Sequence, residues 1–71
     1  MLRGGKKLII NGKKSDMKAG ITISQMLENL DLDKDKVVVE LNYEIVQKEQ
    51  YSERIIIHED EIEIVSFVGG G

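Results

Sequence analysis

Cysteine, proline and tryptophan are absent from this 71-residue chain, and two tyrosines and one phenylalanine supply all its aromatic rings. Without cysteine the chain can form no disulfide, thiolate metal site or thiol nucleophile, and it suits a reducing compartment. No apolar run approaches the roughly 20 residues of a membrane-spanning helix, and no long apolar segment follows the N-terminal charges as in a signal peptide. These absences predict a cytoplasmic protein with no membrane partner and few side chains for enzyme catalysis.

Hydrophobic residues make up 41% of the chain and charged residues 32%, which predicts one small, soluble, globular domain. The formal net charge of -3 is unevenly distributed: residues 1–18 hold six basic residues and one acidic one, whereas residues 19–71 hold four and twelve. The basic N-terminal segment lacks interleaved aromatic rings, so no nucleic-acid partner is predicted. The acidic C-terminal part either steers the chain towards a basic partner or only keeps it in solution.

Residues 7–18 have the pattern of a β-hairpin. The apolar run 7–10 is followed by Asn11-Gly12, a pair that tolerates the positive φ angles of a tight turn. Residues 13–18 then return as a mostly polar strand, in which Met17 is the only large apolar residue. We expect this second strand to lie at the edge of a sheet.

The clearest helix signal lies at residues 23–30. Thr22 can cap its N-terminus, and Gln25, three positions later, completes a capping box. A polar loop at 31–36 is expected to end the helix. Apolar side chains recur at the spacing of one helix face, and they are Ile23, Met26, Leu27 and Leu30.

The second half of the chain predicts three further strands. Residues 37–41 are the most β-prone run and should form an interior strand. Asn42 can adopt a left-handed turn before a short strand at 44–46. Residues 62–68 begin with alternating apolar and polar side chains and should form the last strand. In the polar segment between the last two strands, Tyr51 is expected to pack on the core.

This order of elements predicts an α+β fold with a mixed sheet of four or five strands and one main helix across one face. The first and last strands can pair in parallel at the centre of the sheet. The domain should cover residues 1–68, followed by a flexible glycine tail at 69–71. The predicted core consists of Leu8, Ile10, Ile23, Met26, Leu27, Leu30, Val37, Val39, Leu41, Ile62, Ile64 and Phe67.

Two features that can indicate metal binding fail on spacing. Asp31, Asp33 and Asp35 resemble the start of a calcium-binding loop, but the glycine and the glutamate required at its sixth and twelfth positions are missing. His58 has no second histidine or cysteine at ligand spacing and is better explained as a surface turn residue. We therefore predict no bound metal and no catalytic group in this chain.

Three glycines, Gly69, Gly70 and Gly71, follow the last predicted strand. Because glycine lacks a Cβ atom, such a tail is thin and conformationally free. It could carry a terminal carboxylate through a narrow channel into the active site of another protein. The alternative is a frayed terminus or a cloning remnant without function.

Four segments of the chain together form a family signature. The first two are Ile9-Ile10-Asn11-Gly12 and Thr22-Ile23-Ser24-Gln25-Met26-Leu27, and the others are residues 37–46 and 62–71. In these segments the chain resembles the small sulfur carriers of ubiquitin-like β-grasp fold, and most closely the ThiS family of thiamine biosynthesis. The resemblance covers nearly the whole chain, although the terminal glycines alone are shared with molybdopterin-synthase small subunits and ubiquitin-like modifiers.

The resemblance implies a protein cosubstrate rather than an enzyme. An E1-like (ThiF-like) adenylyltransferase would use Mg-ATP to adenylate the carboxylate of Gly71, and a sulfur donor would convert it to a thiocarboxylate. A ThiG-like thiazole synthase would then take the sulfur for the thiazole ring of thiamine. The chain itself would bind no cofactor, and Gly69, Gly70 and Gly71 would enter the active site of the partner. Candidate docking residues are Phe67, Glu59, Glu61 and Glu63.

Two departures from the family pattern fall in turns. Tyr43 stands where a glycine often follows the mid-chain asparagine, and Glu59-Asp60-Glu61 replaces an Asp-Gly-Asp turn. Neither departure threatens the implied fold. Two other functions remain open on the sequence: a carrier for molybdopterin or another sulfur pathway, and a β-grasp interaction module whose glycine tail is inert.

Overall fold

The computed structural model describes residues 7–67, which form a five-stranded mixed sheet with one α-helix. The sheet order is β2-β1-β5-β3-β4. Residues 34–36 and 48–50 form short 3₁₀ turns. The elements are β1 (Lys7–Ile10), β2 (Lys13–Lys18), α1 (Ile23–Asn29), β3 (Val37–Leu41), β4 (Glu44–Ile45) and β5 (Ile62–Ser66).

The predicted hairpin is confirmed. Asn11 and Gly12 both have positive φ angles, 53° and 82°, and they join β1 to the antiparallel β2. β2 lies at the edge of the sheet, as its polar sequence predicts, with Met17 half-buried against the core.

The capping box at the start of α1 is confirmed. The Gln25 backbone N–H donates to Thr22 Oγ1 over 3.0 Å, and the Thr22 backbone N–H donates to Gln25 Oε1 over 2.8 Å. At the other end the Leu32 N–H donates to the Leu27 carbonyl over 2.9 Å, and Asp31 adopts a φ angle of 60°. This is a Schellman-type end in which aspartate occupies the left-handed position that glycine usually fills.

The prediction that Leu30 belongs to the core is wrong, because α1 ends at Asn29. Leu30 is the C-terminal cap residue and is 36% exposed, whereas Leu27 is 2% exposed. The left-handed turn at Asp31 leads the chain back, and Leu32 packs against the core after it. The Schellman geometry therefore supplies a later leucine to the core in place of Leu30.

The core lies between α1 and one face of the sheet. Tyr51 is buried, as predicted, and Val46 and Ile56 are buried residues that the predicted core omitted. Ile10 is partly buried against this core. Phe67 is 47% exposed, so its predicted core position is wrong. The buried set is Leu8, Ile23, Met26, Leu27, Val37, Val39, Leu41, Val46, Tyr51, Ile56, Ile62 and Ile64.

β5 lies at the centre of the sheet between its two neighbours. Ile10 of β1 pairs with Ile62 in parallel, and β3 pairs with β5 in antiparallel register from Val37–Ser66 to Leu41–Ile62. The parallel pairing of the first and last strands is therefore confirmed. β5 ends at Ser66, one residue before the last described position, so the predicted extension to Val68 lies outside the described residues.

Candidate functional site

β5 carries the chain towards its C-terminal glycines. The Phe67 backbone N–H donates to the Lys36 carbonyl over 2.9 Å, which continues the β5–β3 ladder by one residue beyond Ser66. Gly69, Gly70 and Gly71 lie outside the described residues, so the predictions made for the tail stay predictions. What the structure does establish is the surface around the C-terminal end of β5.

Residues 7–67 leave the face of the sheet turned away from α1 uncovered, and we call it the open face. Along β5 the side chains of Ile62 and Ile64 are buried, so the intervening side chains project from the other side of the sheet. The open face carries exposed apolar groups near the C-terminal end of β5. Its members on β5, β3 and β4, together with the residue that follows β5, are Glu63, Val65, Val38, Glu40, Ile45 and Phe67.

A shallow depression lies at the tail end of this face. It has a volume of about 360 Å³, and Val38, Ile45 and Phe67 line it together with Lys48 and Asp35. Lys48 Nζ donates to Asp35 Oδ1 over 2.9 Å. This hydrogen bond lowers the pKa of Asp35 below its ordinary value of 3.8 and raises the pKa of Lys48 above 10.5. Both groups therefore stay charged at the edge of an apolar hollow over most of the pH range.

The predicted docking residues do not form one cluster. Glu59 and Glu61 lie in or next to the turn before β5, whereas Phe67 lies just beyond the end of that strand. Six residues of extended chain separate Glu61 from Phe67, a distance of about 20 Å. Glu63 lies between them on the open face. The structure therefore separates an apolar docking candidate beside the tail from an acidic one at the far end.

Two acidic residues before β5 accept structural hydrogen bonds. Asp60 accepts hydrogen bonds from the Asn42 side-chain amide over 2.8 Å and from the Ile57 N–H over 2.9 Å. The Tyr43 hydroxyl donates to Glu61, and this bond raises the pKa of Tyr43 above its ordinary value of 10.0. Tyr43 itself has a φ angle of 70°. These contacts show how the turn holds a tyrosine where the family often has glycine.

A second groove lies at this far end of the open face. It measures about 460 Å³ and is lined by Ile9, Gly12, His58 and the acidic residues that precede and begin β5. His58 is exposed in a turn, which agrees with its predicted surface role. Among residues 7–67 no group of three or more potential ligands is placed to hold a metal ion. In the same range, no helix is long and apolar enough to cross a bilayer.

The sequence did not reveal which residues are cross-strand neighbours on the open face, because strand register decides this. Glu40 lies directly opposite Glu63, Val38 lies opposite Val65, and Ile45 lies beside Glu40. Alternation within 37–41 and 62–66 indicates which residues share a face, but it does not indicate which residue of one strand meets which of the other. Register therefore brings together a carboxylate pair and an apolar group that are scattered in the sequence.

A mixed sheet with parallel first and last strands at its centre, and one helix across one face, defines a ubiquitin-like β-grasp protein. A solved structure shares this fold closely. The chain is similar to the crystal structure of the thiamine biosynthesis protein ThiS from Geobacter metallireducens, with a TM-score of 0.73 and 31% identity. The match covers 92% of this chain and 99% of that one. The ubiquitin-like fold implied by the sequence resemblance is thus confirmed.

Comparison of sequences identifies the family. The model of the ThiS family matches residues 7–71, which include the three C-terminal glycines. The chain is 45% identical over 65 residues to the sulfur carrier protein ThiS of Bacillus subtilis, covering 90% of this chain and 98% of that protein. It therefore belongs to the ThiS family.

Another relative is a much longer protein. The chain is 43% identical over 65 residues to a thiazole synthase of Paramagnetospirillum magneticum. The match covers 92% of this chain but only 20% of that protein, so the chain spans about a fifth of the length of this relative. A segment similar to most of this chain is thus present within a protein named as a thiazole synthase.

Proposed function

We propose that this chain carries sulfur for thiazole formation on the carboxylate of Gly71, acting in the cytoplasm as a cosubstrate of two enzymes. The observation that supports this most directly is the family match through residues 7–71, because it includes the glycines as well as the folded domain. The central strand β5 leads straight into that segment, beside an exposed apolar surface.

The proposed chemistry has two steps, and the enzymes supply the catalytic groups. First, an E1-like adenylyltransferase of the ThiF type binds Mg-ATP. A carboxylate oxygen of Gly71 attacks the α-phosphorus, and pyrophosphate leaves. The resulting acyl-adenylate is an activated electrophile. A sulfur nucleophile at the oxidation level of sulfide, delivered by a sulfur donor, then attacks the acyl carbon, and AMP leaves. The product is the Gly71 thiocarboxylate.

A thiazole synthase of the ThiG type would be the sulfur acceptor. The presence of a segment similar to this chain within a thiazole synthase supports the pairing, because one polypeptide there contains both parts. In this proposal the tail, with Gly69 and Gly70 between the domain and the reacting residue, enters each active site in turn. No cofactor is held by the chain itself.

We assign docking to the tail end of the open face. Phe67, Val65 and Ile45 are 47%, 57% and 62% exposed, and exposed apolar side chains this close together are typical of a protein-binding surface. A partner that covers this surface also receives the tail, because Phe67 is four residues from Gly71. Glu63 borders this surface, whereas Glu59 and Glu61 lie beyond it, in and next to the turn before β5.

Substitution of Gly70 tests the role of the tail. Gly70→Trp should leave the melting temperature of the domain unchanged, within about 1 °C, because a single substitution outside the core has little effect on stability. It should abolish adenylation, since a bulky side chain restricts φ and collides with the wall of a narrow channel. Intact-mass measurement after incubation with ATP, the adenylyltransferase and sulfide reports both the acyl-adenylate and the thiocarboxylate.

Two controls make this experiment decisive. Removal of Gly70 and Gly71 should give the same loss of charging at an unchanged melting temperature. Ser52→Trp, at an exposed position in the loop after the second 3₁₀ turn, adds the same bulk away from the tail and should charge normally. If the Gly70 variant and the truncated chain acquire sulfur as fast as the parent, the tail is inert and the proposal is wrong.

A further inference from the structure

The second groove, of about 460 Å³, lies where β1 ends and β5 begins. Ile9 alternates with the buried Leu8, so its side chain projects from the open face, where it is 46% exposed and forms an apolar wall of the groove. The opposite side is a rim of four acidic residues, Glu59, Asp60, Glu61 and Glu63. A segment that fits this groove must therefore combine an apolar side chain with positive charge.

Among the described residues, no cation pairs with this acidic rim. The ion pairs within residues 7–67 are Lys7–Asp16 and Lys48–Asp35, and neither includes a residue of the rim. Asp60 and Glu61 accept hydrogen bonds, but from an amide side chain, a backbone N–H and a tyrosine hydroxyl, which are all neutral. The rim therefore keeps its negative charge in the part of the chain that the structure describes.

The first six residues of the chain have the composition that this groove requires. They are Met-Leu-Arg-Gly-Gly-Lys, with two apolar side chains and two basic ones. They lie outside the described residues, and the match to the family model begins directly after them, at residue 7. Gly4 and Gly5 separate the apolar end from β1, and glycine accepts the positive φ angles of a sharp turn. The chain can therefore reverse its direction just before β1.

The strand geometry brings the groove within reach of this segment. Lys7 begins β1 and lies two residues, or about 7 Å, from Ile9 on the same face. A chain that reverses at Gly4-Gly5 returns over three residues, which span about 10 Å. β1 and β5 are parallel, with Ile10 opposite Ile62. The turn before β5 therefore lies at the same end of the sheet as the residues that precede Ile9.

We propose that residues 1–6 turn back at Gly4-Gly5 and lie in the second groove, with Leu2 against Ile9 and the Arg3 guanidinium against the carboxylate of Glu59. Arginine suits this rim, because its planar group presents five N–H donors to carboxylate oxygens. The contact goes beyond the proposed function and does not depend on sulfur transfer. A basic partner that approached Glu59 and Glu61 would have to displace the segment first.

Backbone amide signals in NMR spectra of the full chain test this contact. Arg3→Glu should move the signals of Gly12 and of residues 58–63, because the reversed charge is repelled by the rim. The signals of α1 should stay in place. The matched control is Arg54→Glu, the same charge reversal at an exposed position outside the groove, which should leave the Gly12 signal where it is in the parent.

Exchanging the two charges tests the pairing itself. Glu59→Arg, at an exposed position, should move the Gly12 signal as Arg3→Glu does. In the chain with both substitutions opposite charges meet again, so the Gly12 signal should return most of the way to its position in the parent. Gly12 is the reporter because it lines the groove but is distant in sequence from Glu59.

Thermal melts supply a second measurement. Arg3→Glu should lower the melting temperature by about 1 to 6 °C at low salt, the range expected for one exposed ion pair in a domain of this size. The difference should shrink in about 1 M salt, where the Debye length is about 3 Å. Arg54→Glu should not show this salt-dependent loss.

Three results would overturn the inference. The first is a set of signal changes in Arg3→Glu confined to residue 7 and its immediate neighbours, which would mean that the segment does not reach the groove. The second is a Gly12 shift that depends on protein concentration, which would place the segment of a second copy there instead. The third is a Gly12 signal that the exchanged charges fail to restore.

Discussion

Asn11 and Asn42 perform matching tasks on the two edges of β5. Both have left-handed backbones, with φ angles of 53° and 56°. The Asn11 side chain accepts from the Ile64 N–H over 2.8 Å and donates to the Ile64 carbonyl over 3.2 Å, so it extends the β1 ladder after the strand has turned away. Asn42 accepts from the Glu61 N–H over 2.9 Å. The side chain of Asn11 on one side and that of Asn42 on the other thus hydrogen-bond to the backbone at and just before the first half of β5.

At the residue scale, Asn11→Ala should destabilise the domain by about 2–5 kcal/mol. The change removes two partly buried hydrogen bonds, each contributing about 0.5–1.5 kcal/mol, and leaves a residue with a Cβ in a left-handed backbone at a cost of about 1–2 kcal/mol. Asn11→Gly loses the same bonds without the backbone cost, so it should retain about 1–2 kcal/mol more stability than the alanine variant. Urea unfolding measures both.

Asn29→Ala at the exposed end of α1 is the control for this comparison and should cost less than about 1 kcal/mol. Equal losses for the alanine and glycine variants would show that the left-handed backbone at Asn11 contributes nothing. A loss no larger than that of the Asn29 variant would show that the two bonds to Ile64 contribute nothing.

At the scale of elements, local signals were sufficient wherever structure depends on neighbours in sequence. The Asn11-Gly12 pair predicts its hairpin, and Thr22 with Gln25 predicts the start of α1. The end of α1 was predicted one residue late, because the left-handed position at Asp31 is occupied by aspartate and carries no glycine signal. Phe67 was placed in the core although its spacing from Ile64 already directs it to the open face.

Strand pairing was the part of the structure that local patterns could not supply. The opposition of Glu40 and Glu63 joins residues 23 positions apart, and it depends on where β3 and β5 meet rather than on either sequence alone. The open-face apolar group has the same origin. The family resemblance predicted the tail chemistry, but the surface beside the tail required the paired strands.

The same substitution at two positions of one helix tests its packing. Leu27→Ala should destabilise the domain by about 2–5 kcal/mol, because Leu27 is only 2% exposed and the change leaves a cavity. Leu30→Ala should cost less than about 1 kcal/mol, since that side chain is 36% exposed beyond the last turn. Chemical denaturation of the two variants in parallel measures the difference. Equal losses would contradict the position of Leu30 described above.

At the scale of the whole molecule, the Lys48–Asp35 pair makes stability depend on pH at both extremes. Asp35 has a lowered pKa, so its contribution is present above pH 3.8 and is lost as pH falls through the folded value. Lys48 has a raised pKa, so its contribution is present below pH 10.5 and is lost as pH rises through the folded value. Both groups are solvent-exposed, so the effect is small and is screened by salt.

Thermal melts of the parent and Lys48→Met at low salt measure this contribution. The parent should melt higher at neutral pH, and the gap should shrink as the pH falls below 3.8 and as it rises above 10.5. Lys13→Met, in the exposed edge strand, removes the same charge outside any described ion pair and should show no gap of this shape. A gap that stays constant from pH 2 to pH 11 would mean that this ion pair does not contribute.

The central position of β5 has a mechanical consequence. In the proposed function, a partner that held the tail would load the chain at Phe67, along the axis of β5. Contacts from both neighbouring strands lie across that axis. They are the five residue pairs with β3, the parallel pairing with β1 and the side-chain hydrogen bonds of Asn11 and Asn42. A force along the axis is therefore shared by many hydrogen bonds at once. In an edge strand pulled sideways, by contrast, the hydrogen bonds would break one after another. This arrangement favours a domain that stays folded when a force acts on its tail.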